Sequence, residues 1–474
     1  MFKNKWLLII ILLITISCAC PGKTKPVTSP SLTPAPPTQE TIIFPSSTPE
    51  PTSTPTNTPS PVVYIPSACK NHPVATLDPA EILLLPTVVQ PAEKALDQVD
   101  QLTILDELVK KINEIYLYPD FNGVDWQTLV NKEKNKIQTG LDTPVFYKNM
   151  QSLVYALGDE HSSYLSPLEV DAYMALYSGK NDYVGIGVVI HPVPEKNLAT
   201  ILNIFPGSSA EHSGIKLHDS ILAIDGVPLA DNKDLYLENL RGPECSAVTV
   251  TVQSPGGKPR DLTIMRYRVK TTEPVLTRLL DTRDGSRIGY IYLPSFFDKN
   301  IPAQVKKALM DWGTLDGLIL DNRNNQGGAS TVVDPVLGYF TSGTVGHFVS
   351  RKKSTAVEIK ADPIRNSQNV PLVVLASPNT VSYGEIFNGI LQDSGRAKVV
   401  GTNSAGNVEI LHSYDFLDGS RLWIAQERFE PLHNKNGWEK IGVTPDVEAY
   451  ADWETYTFED DPSINAAVKL LGHE

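Results

Sequence analysis

The chain has 474 residues, 41% of them hydrophobic and 20% charged, with a formal net charge of −13. That length holds two or three domains. The acidic balance, with no Lys- or Arg-rich block to reverse it locally, argues against a nucleic-acid backbone or an anionic membrane surface as the main partner. An enzyme or binding protein acting on peptides or small molecules remains.

Phe2-Lys3-Asn4-Lys5 and the apolar run Trp6 to Ile16 form a basic n-region and a short h-region, so residues 1–17 read as a secretory signal. The run is short for a membrane span. Thr15-Ile16-Ser17-Cys18 resembles a lipobox, which makes Cys18 a candidate for lipidation and the outer face of the cytoplasmic membrane the expected location; simple secretion is the alternative. Residues 18–75 are dominated by Pro, Ser and Thr and lack the apolar content for a core, so a disordered or polyproline-like tether is expected. Of the four cysteines, Cys20 and Cys69 flank this tether and Cys245 lies far along the sequence: one bridge is possible and none is required. No Cys-x-x-Cys or His-Glu-x-x-His spacing occurs, and neither a metal nor another cofactor is expected.

From 90 to 180 the apolar spacing is helical. Leu102, Leu105, Leu108, Val109 and Ile112 share one face; Asp125 to Ile137 gives a second helix; Thr143-Pro144 opens a third that stops at Gly158. Asp159-Glu160-His161-Ser162-Ser163-Tyr164-Leu165 follows. Residues 182–269 change to strand periodicity, beginning with Val184-Gly185-Ile186-Gly187-Val188 and passing an Asp225-Gly226 turn. This segment closely resembles a PDZ domain, whose glycine-containing loop and first strand bind the carboxyl terminus of an extended peptide by adding a strand to a sheet edge. The resemblance implies peptide binding at Val184, Gly185, Ile186 and Gly187.

Strands and helices alternate over 270–474, as in a layered α/β core. Leu315 to Leu320 runs into Asp321-Asn322-Arg323-Asn324-Asn325-Gln326-Gly327-Gly328, a glycine-bearing loop that lets backbone N–H groups approach a ligand. An ordinary strand-to-helix turn fits the same residues. Leu372 to Ala376 is a buried strand, Ser377 to Thr380 a turn, and Tyr383 to Gln392 a helix with Ser382 at its N-terminus. Ser382 has two readings. With Glu385 it forms a capping box; on a strand-to-helix turn it is also placed as a nucleophile, with backbone N–H groups and the helix dipole beside a developing oxyanion.

Asp-x-His-Ser-x-Tyr-Leu, the PDZ-like segment, Asp-x-Arg-Asn-Asn-x-Gly-Gly, Ser-x-x-Glu and Gly-x-Thr-Pro-Asp after Trp438-Glu439 occur in that order. Together they resemble the carboxyl-terminal processing peptidases and their tricorn-like relatives, from about residue 95 onward. The resemblance implies a crotonase/ClpP-like core, an N-terminal helical region and an inserted PDZ domain. It puts the nucleophile on Ser382 and the oxyanion hole on the N–H of Tyr383 with that of Gly327 or Gly328. The processing peptidases use a serine–lysine dyad, but the lysine position falls on Asn407, which cannot accept a proton from serine. The tricorn-like branch uses serine, histidine and glutamate, and His161 and Glu439 match those positions. Lysine-type members also carry Asp-x-His-Ser and the glutamate, so a structural role fits both residues too. The resemblance leaves two functions open. One is an exported serine endopeptidase that captures protein or peptide substrates by their C-terminal tails. The other is an inactive relative that binds peptides at the cell surface.

Overall fold

The computed structural model describes residues 64–70, 93–159, 161–177, 183–231, 234–235, 237–269 and 273–473. The signal segment, Cys18 and all of the tether except 64–70 lie outside the described residues.

The helical region comprises α1 (Gln98–Ile115), α2 (Trp126–Gln138) and α3 (Thr143–Tyr155), followed by the short strand β1 (Ser163–Leu165) and α4 (Pro167–Tyr177). Local chemistry sets the starts: Asp97 and Asp125 cap α1 and α2 through their carboxylates, and Pro144 stands in the first turn of α3. Ile104, Leu108 and Ile112 of α1 pack with Phe146, Met150 and Val154 of α3. Leu422, Ile424 and Ala425, distant in sequence, close that core.

An inserted β unit follows. Its strands are β2 (Tyr183–Gly185), β3 (Val188–Val193), β4 (Leu198–Ile204), β5 (Ser220–Ile224), β6 (Ala247–Gln253), β7 (Arg260–Met265) and β8 (Tyr267–Val269), with a one-turn helix α5 (Ser209–His212). The main sheet runs β7-β6-β5-β4-β3, which leaves β3 at its edge, and β2 pairs with β8 as a separate ribbon. Cys69 is disulfide-bonded to Cys245, and Tyr64 stacks on His212 with ring centroids 3.8 Å apart. The end of the tether, expected to lack structure by its composition, is therefore ordered at 64–70, because a covalent bond and a ring stack hold it to the β unit.

The core has two sheets. The first runs β9 (Leu276–Leu280), β10 (Ile288–Tyr292), β11 (Gly317–Asp321), then β14 (Leu372–Ala376), β15 (Lys398–Gly401) and β18 (Val447–Glu448). All pairs from β10 to β18 are parallel. β10, β11 and β14 are buried along their whole length, as expected for parallel strands covered on both faces. Helices α6 (Ile301–Trp312), α7 (Ser330–Gly338) and α8 (Tyr383–Asp393) pack on one face, and α9 (Pro462–Leu470) on the other. The second sheet is antiparallel: β12 (Gly343–Ser350) lies between β13 (Ser354–Ile359) and the long β17 (Arg421–Pro431), which also pairs with β16 (Glu409–Asp415) and with β1. The β1–β17 register, Ser163 opposite Trp423, carries the His161 loop onto the core.

The loop after β11 is anchored by a buried ion cluster. Arg323 donates to Asp321 at 2.6 Å and to Asp461 at 2.7 Å, and its guanidinium lies over the Trp453 ring. Arg323→Met leaves two carboxylates buried without their partner, and should cost about 3–5 kcal/mol of stability in a urea titration. An unchanged midpoint would show that the cluster anchors nothing.

Candidate active site

β11 and β14 are adjacent and parallel, so the loops that leave their C-terminal ends meet, as sites in parallel α/β sheets do. The meeting is close. A Cβ placed on Gly327 would stand 2.8 Å from the Ser382 Cβ and 3.0 Å from the Tyr383 nitrogen. One placed on Gly328 would stand 2.1 Å from the Phe296 carbonyl. Only glycine fits either position. The Gly327 N–H donates to Asn325 Oδ1 at 2.9 Å and is thereby committed, and the Gly328 N–H takes no part in the bridge that joins its segment to Phe296.

Ser382 has φ 56° and ψ −124°, a region that serine enters only under constraint, at about 1–3 kcal/mol. Three contacts hold it there: the Ser382 N–H donates to the Asn407 carbonyl at 3.0 Å and also reaches Glu385 Oε1 at 3.2 Å, and the Val381 N–H donates to the Asn325 carbonyl at 2.9 Å. The capping-box pair Ser382 and Glu385 is in place at the start of α8, so the cap and the strained turn are features of one residue. Glu385 is buried, and its carboxylate also accepts from Ser404 Oγ and from the N–H groups of Gly406 and Asn407. Burial pushes its pKa up, against these hydrogen bonds.

Asn407 is buried beside Ser382, and both heteroatoms of its carboxamide lack a hydrogen-bond partner among the described residues. The His161 loop is fixed by Asp159, which accepts from the N–H groups of His161 and Ser162 and from the Ser162 hydroxyl. Among the described residues no hydrogen bond joins His161 to Ser382. The imidazole instead turns Nδ1 toward Glu409 Oε2 at 3.4 Å. Glu409 also accepts from the Tyr118 hydroxyl at 2.9 Å and is paired with Glu439, whose other contact is the Val408 N–H at 2.9 Å. His161 and Glu439, two positions singled out in the sequence, thus meet through a third residue, Glu409, that carries no motif. Tyr118 carries none either.

Burial pushes Glu409 up, but the contact with His161, the Glu439 carboxyl and the Tyr118 hydroxyl outweigh it and hold it below the usual carboxylate range. Glu439 goes the other way: burial, then the Glu409 charge, push it up to about 9. Two hydrogen-bonded carboxyls share one proton, and the opposite directions of their shifts assign it to Glu439.

In the β unit, Val184 and Gly185 pair with Arg268 and Tyr267, Ile186 is buried in that unit's core, and Gly187 has φ 89° against Ser208.

An acid whose folded pKa is raised is most compatible with folding below its unfolded value of 4.5, and loses that stability as pH rises toward about 9. Glu439→Gln, a neutral isostere of the protonated acid, removes this loss. The variant's Tm should therefore gain on wild type progressively between about pH 5 and about pH 9; a gap that shrinks across the range in thermal melts would contradict the assignment.

The profile of peptidase family S41 matches residues 287–449. A carboxyl-terminal-processing protease of Synechocystis sp. is 31% identical over 390 residues, covering 80% of this chain and 88% of the relative. One from Picosynechococcus sp. is 29% identical, covering 82% and 94%. Among solved structures, the photosystem II D1 C-terminal processing protease superposes with a TM-score of 0.51 at 26% identity, covering 79% of this chain and 97% of the other. With the glycine loop, the strained serine and the parallel sheet beneath them, these likenesses show that the protein belongs to the carboxyl-terminal-processing serine proteases of family S41.

Proposed function

We propose that the protein is an exported serine endopeptidase that holds protein or peptide substrates by their C-terminal tails and cleaves them through an acyl-enzyme on Ser382. The backbone of Ser382 carries the reading: φ 56° with a glycine loop packed against it is the conformation of an exposed nucleophile on a strand-to-helix turn. Ser382 Oγ attacks the scissile carbonyl, and the N–H groups of Gly328 and Tyr383 are the donors for the oxyanion. Gly327, the third candidate, supports this geometry by letting the serine approach rather than by donating. His161 takes the serine proton and returns it to the leaving amine, with Glu439 in the carboxyl pair behind the ring.

The β unit serves as a PDZ-like module. A tail adds to the edge strand β3, and Ile186-Gly187, which follow Val184 and Gly185 at the end of β2, lie at the terminal carboxylate. Apolar or unfolded tails suit such an edge. The protein works outside the cytoplasmic membrane, held by a lipid on Cys18 and spaced from it by the Pro-rich tether. Incorporation of a palmitate analogue, lost in Cys18→Ser, checks the anchor.

A second reading has one observation in its favour: Asn407, in the position of the family's lysine, has a carboxamide with no hydrogen-bond partner among the described residues. In that reading the fold persists as a peptide-binding surface protein. A fluorophosphonate probe on the signal-free protein separates the two. Labelling of wild type that vanishes in Ser382→Ala and in His161→Ala, with preferential cleavage of peptides bearing a free rather than amidated C-terminus, is the expected result. No labelling of wild type, with labelling gained in Asn407→Lys, means a silenced lysine-dyad enzyme.

A further inference from the structure

We infer that Glu409 is the positioning residue of the proton-transfer machinery: it is the ionised partner of His161, and Glu439 acts one step back as a protonated carboxyl that holds Glu409. The inference rests on the reading of His161 as the base for Ser382, and it changes which acid stands next to the ring.

The geometry comes first. Among the described residues, His161 Nδ1 and Glu409 Oε2 are each buried without a hydrogen-bond partner, and they face each other at 3.4 Å. Two orphaned atoms of complementary type at that distance are one hydrogen bond short of contact, and such bonds in ligand-free enzymes tighten when substrate closes the site. Glu409 has no side-chain exposure and His161 has 14%, so water is a poor competitor for either. The other Glu409 oxygen accepts from Tyr118. Glu439 has its own anchor, the Val408 N–H.

The charge follows. Within the Glu409–Glu439 pair the negative charge belongs on Glu409, which faces the imidazole and accepts from the Tyr118 hydroxyl, and the two shifts run in that direction. Among the described residues, the other ionisable groups around it are Tyr116 and Tyr118 after α1, Asp159 beside His161, Glu385 on α8, and Lys440, whose ammonium lies over the Tyr118 ring. With the Glu409 charge on its Nδ1 side, the imidazole keeps that proton and presents Nε2 as the acceptor. In acylation the Ser382 Oγ–H proton moves to Nε2 as Oγ bonds to the carbonyl carbon. The C–N bond then breaks, and the same proton leaves on the amine. The Nδ1 proton stays on the ring, hydrogen-bonded to Glu409, and the Glu439 proton stays in the acid pair.

The test compares two isosteric variants, Glu409→Gln and Glu439→Gln, by kcat/KM against pH on a tail peptide and by nitrogen NMR of the His161 ring in the full-length protein, assigned by its loss in His161→Ala. Glu439→Gln keeps a donor to Glu409 and should lose about tenfold less in kcat/KM than Glu409→Gln. Glu409→Gln should lose about a hundredfold or more in kcat with little change in KM, and its acidic limb should move to lower pH. Its ring should no longer hold the Nδ1–H tautomer, and Glu409→Asp should recover part of the loss. Equal activity of Glu409→Gln and wild type overturns the inference, as does a loss in Glu439→Gln matching that in Glu409→Gln. If Glu409→Gln does not fold, the His161 ring in Glu439→Gln decides: the Nδ1–H tautomer kept as in wild type supports the inference, and its loss overturns it. If wild type shows no peptidase activity, the underlying reading fails, and the ring tautomer and its response to each variant still decide whether Glu409 or Glu439 is the charged partner.

Discussion

The site depends on one buried carboxylate. Glu385 sits in the first turn of α8 and gathers donors from Ser382, Ser404, Gly406 and Asn407. A carboxylate accepting several such bonds is expensive to expose and rigid where it sits. Through it, the start of α8 and the segment that ends at Asn407 become one body. The Ser382 N–H then reaches the Asn407 carbonyl, which holds the serine at positive φ. The strain at Ser382 is thus offset by polar contacts in its own neighbourhood, and the parallel sheet beneath supplies the rigidity against which the turn is bent.

Glycine does the complementary work. Gly327 and Gly328 stand where any side chain would strike Ser382 or Phe296, and Gly384 stands where one would strike the Asn325 carbonyl. On the proposed mechanism, the close approach lets backbone N–H groups, rather than side chains, face the forming oxyanion. Backbone donors do not reorganise during the reaction, which is why a loop of this kind is built from the residue with no side chain.

Much of this is readable in the sequence because each feature has a local signature. Helix starts at Asp97, Asp125 and Thr143-Pro144 come from capping chemistry, and β11 and β14 from short apolar runs. Ser382 is legible as a cap or as a nucleophile; the backbone shows the cap and a strained turn at that one residue. What stays hidden is non-local. The antiparallel sheet of β12, β13, β16 and β17 joins segments whose alternation is broken by bulges at Thr344–Gly346 and Ile410–Leu411. The Cys69–Cys245 bridge spans 176 residues, and no spacing rule selects it. Glu409 opens β16 with nothing in its neighbours to distinguish it from a solvated strand acid. It becomes notable only because the β1–β17 pairing brings His161 to it.

That hidden acid bears on the proposed reading of Asn407. A lysine base must be neutral to take a proton from serine, so its surroundings must disfavour the ammonium form. Around Asn407 the surroundings lean the other way. The backbone from 407 to 409 is bonded in turn to Glu385 and Glu439 and ends in Glu409, and the last two carry a net negative charge between them. Such a field stabilises a cation. It suits a histidine, which must become an imidazolium during the reaction, far better than a lysine, which must begin without its charge. On the proposed mechanism, the uncharged asparagine at 407 leaves the counter-charge of this field to His161, which faces Glu409.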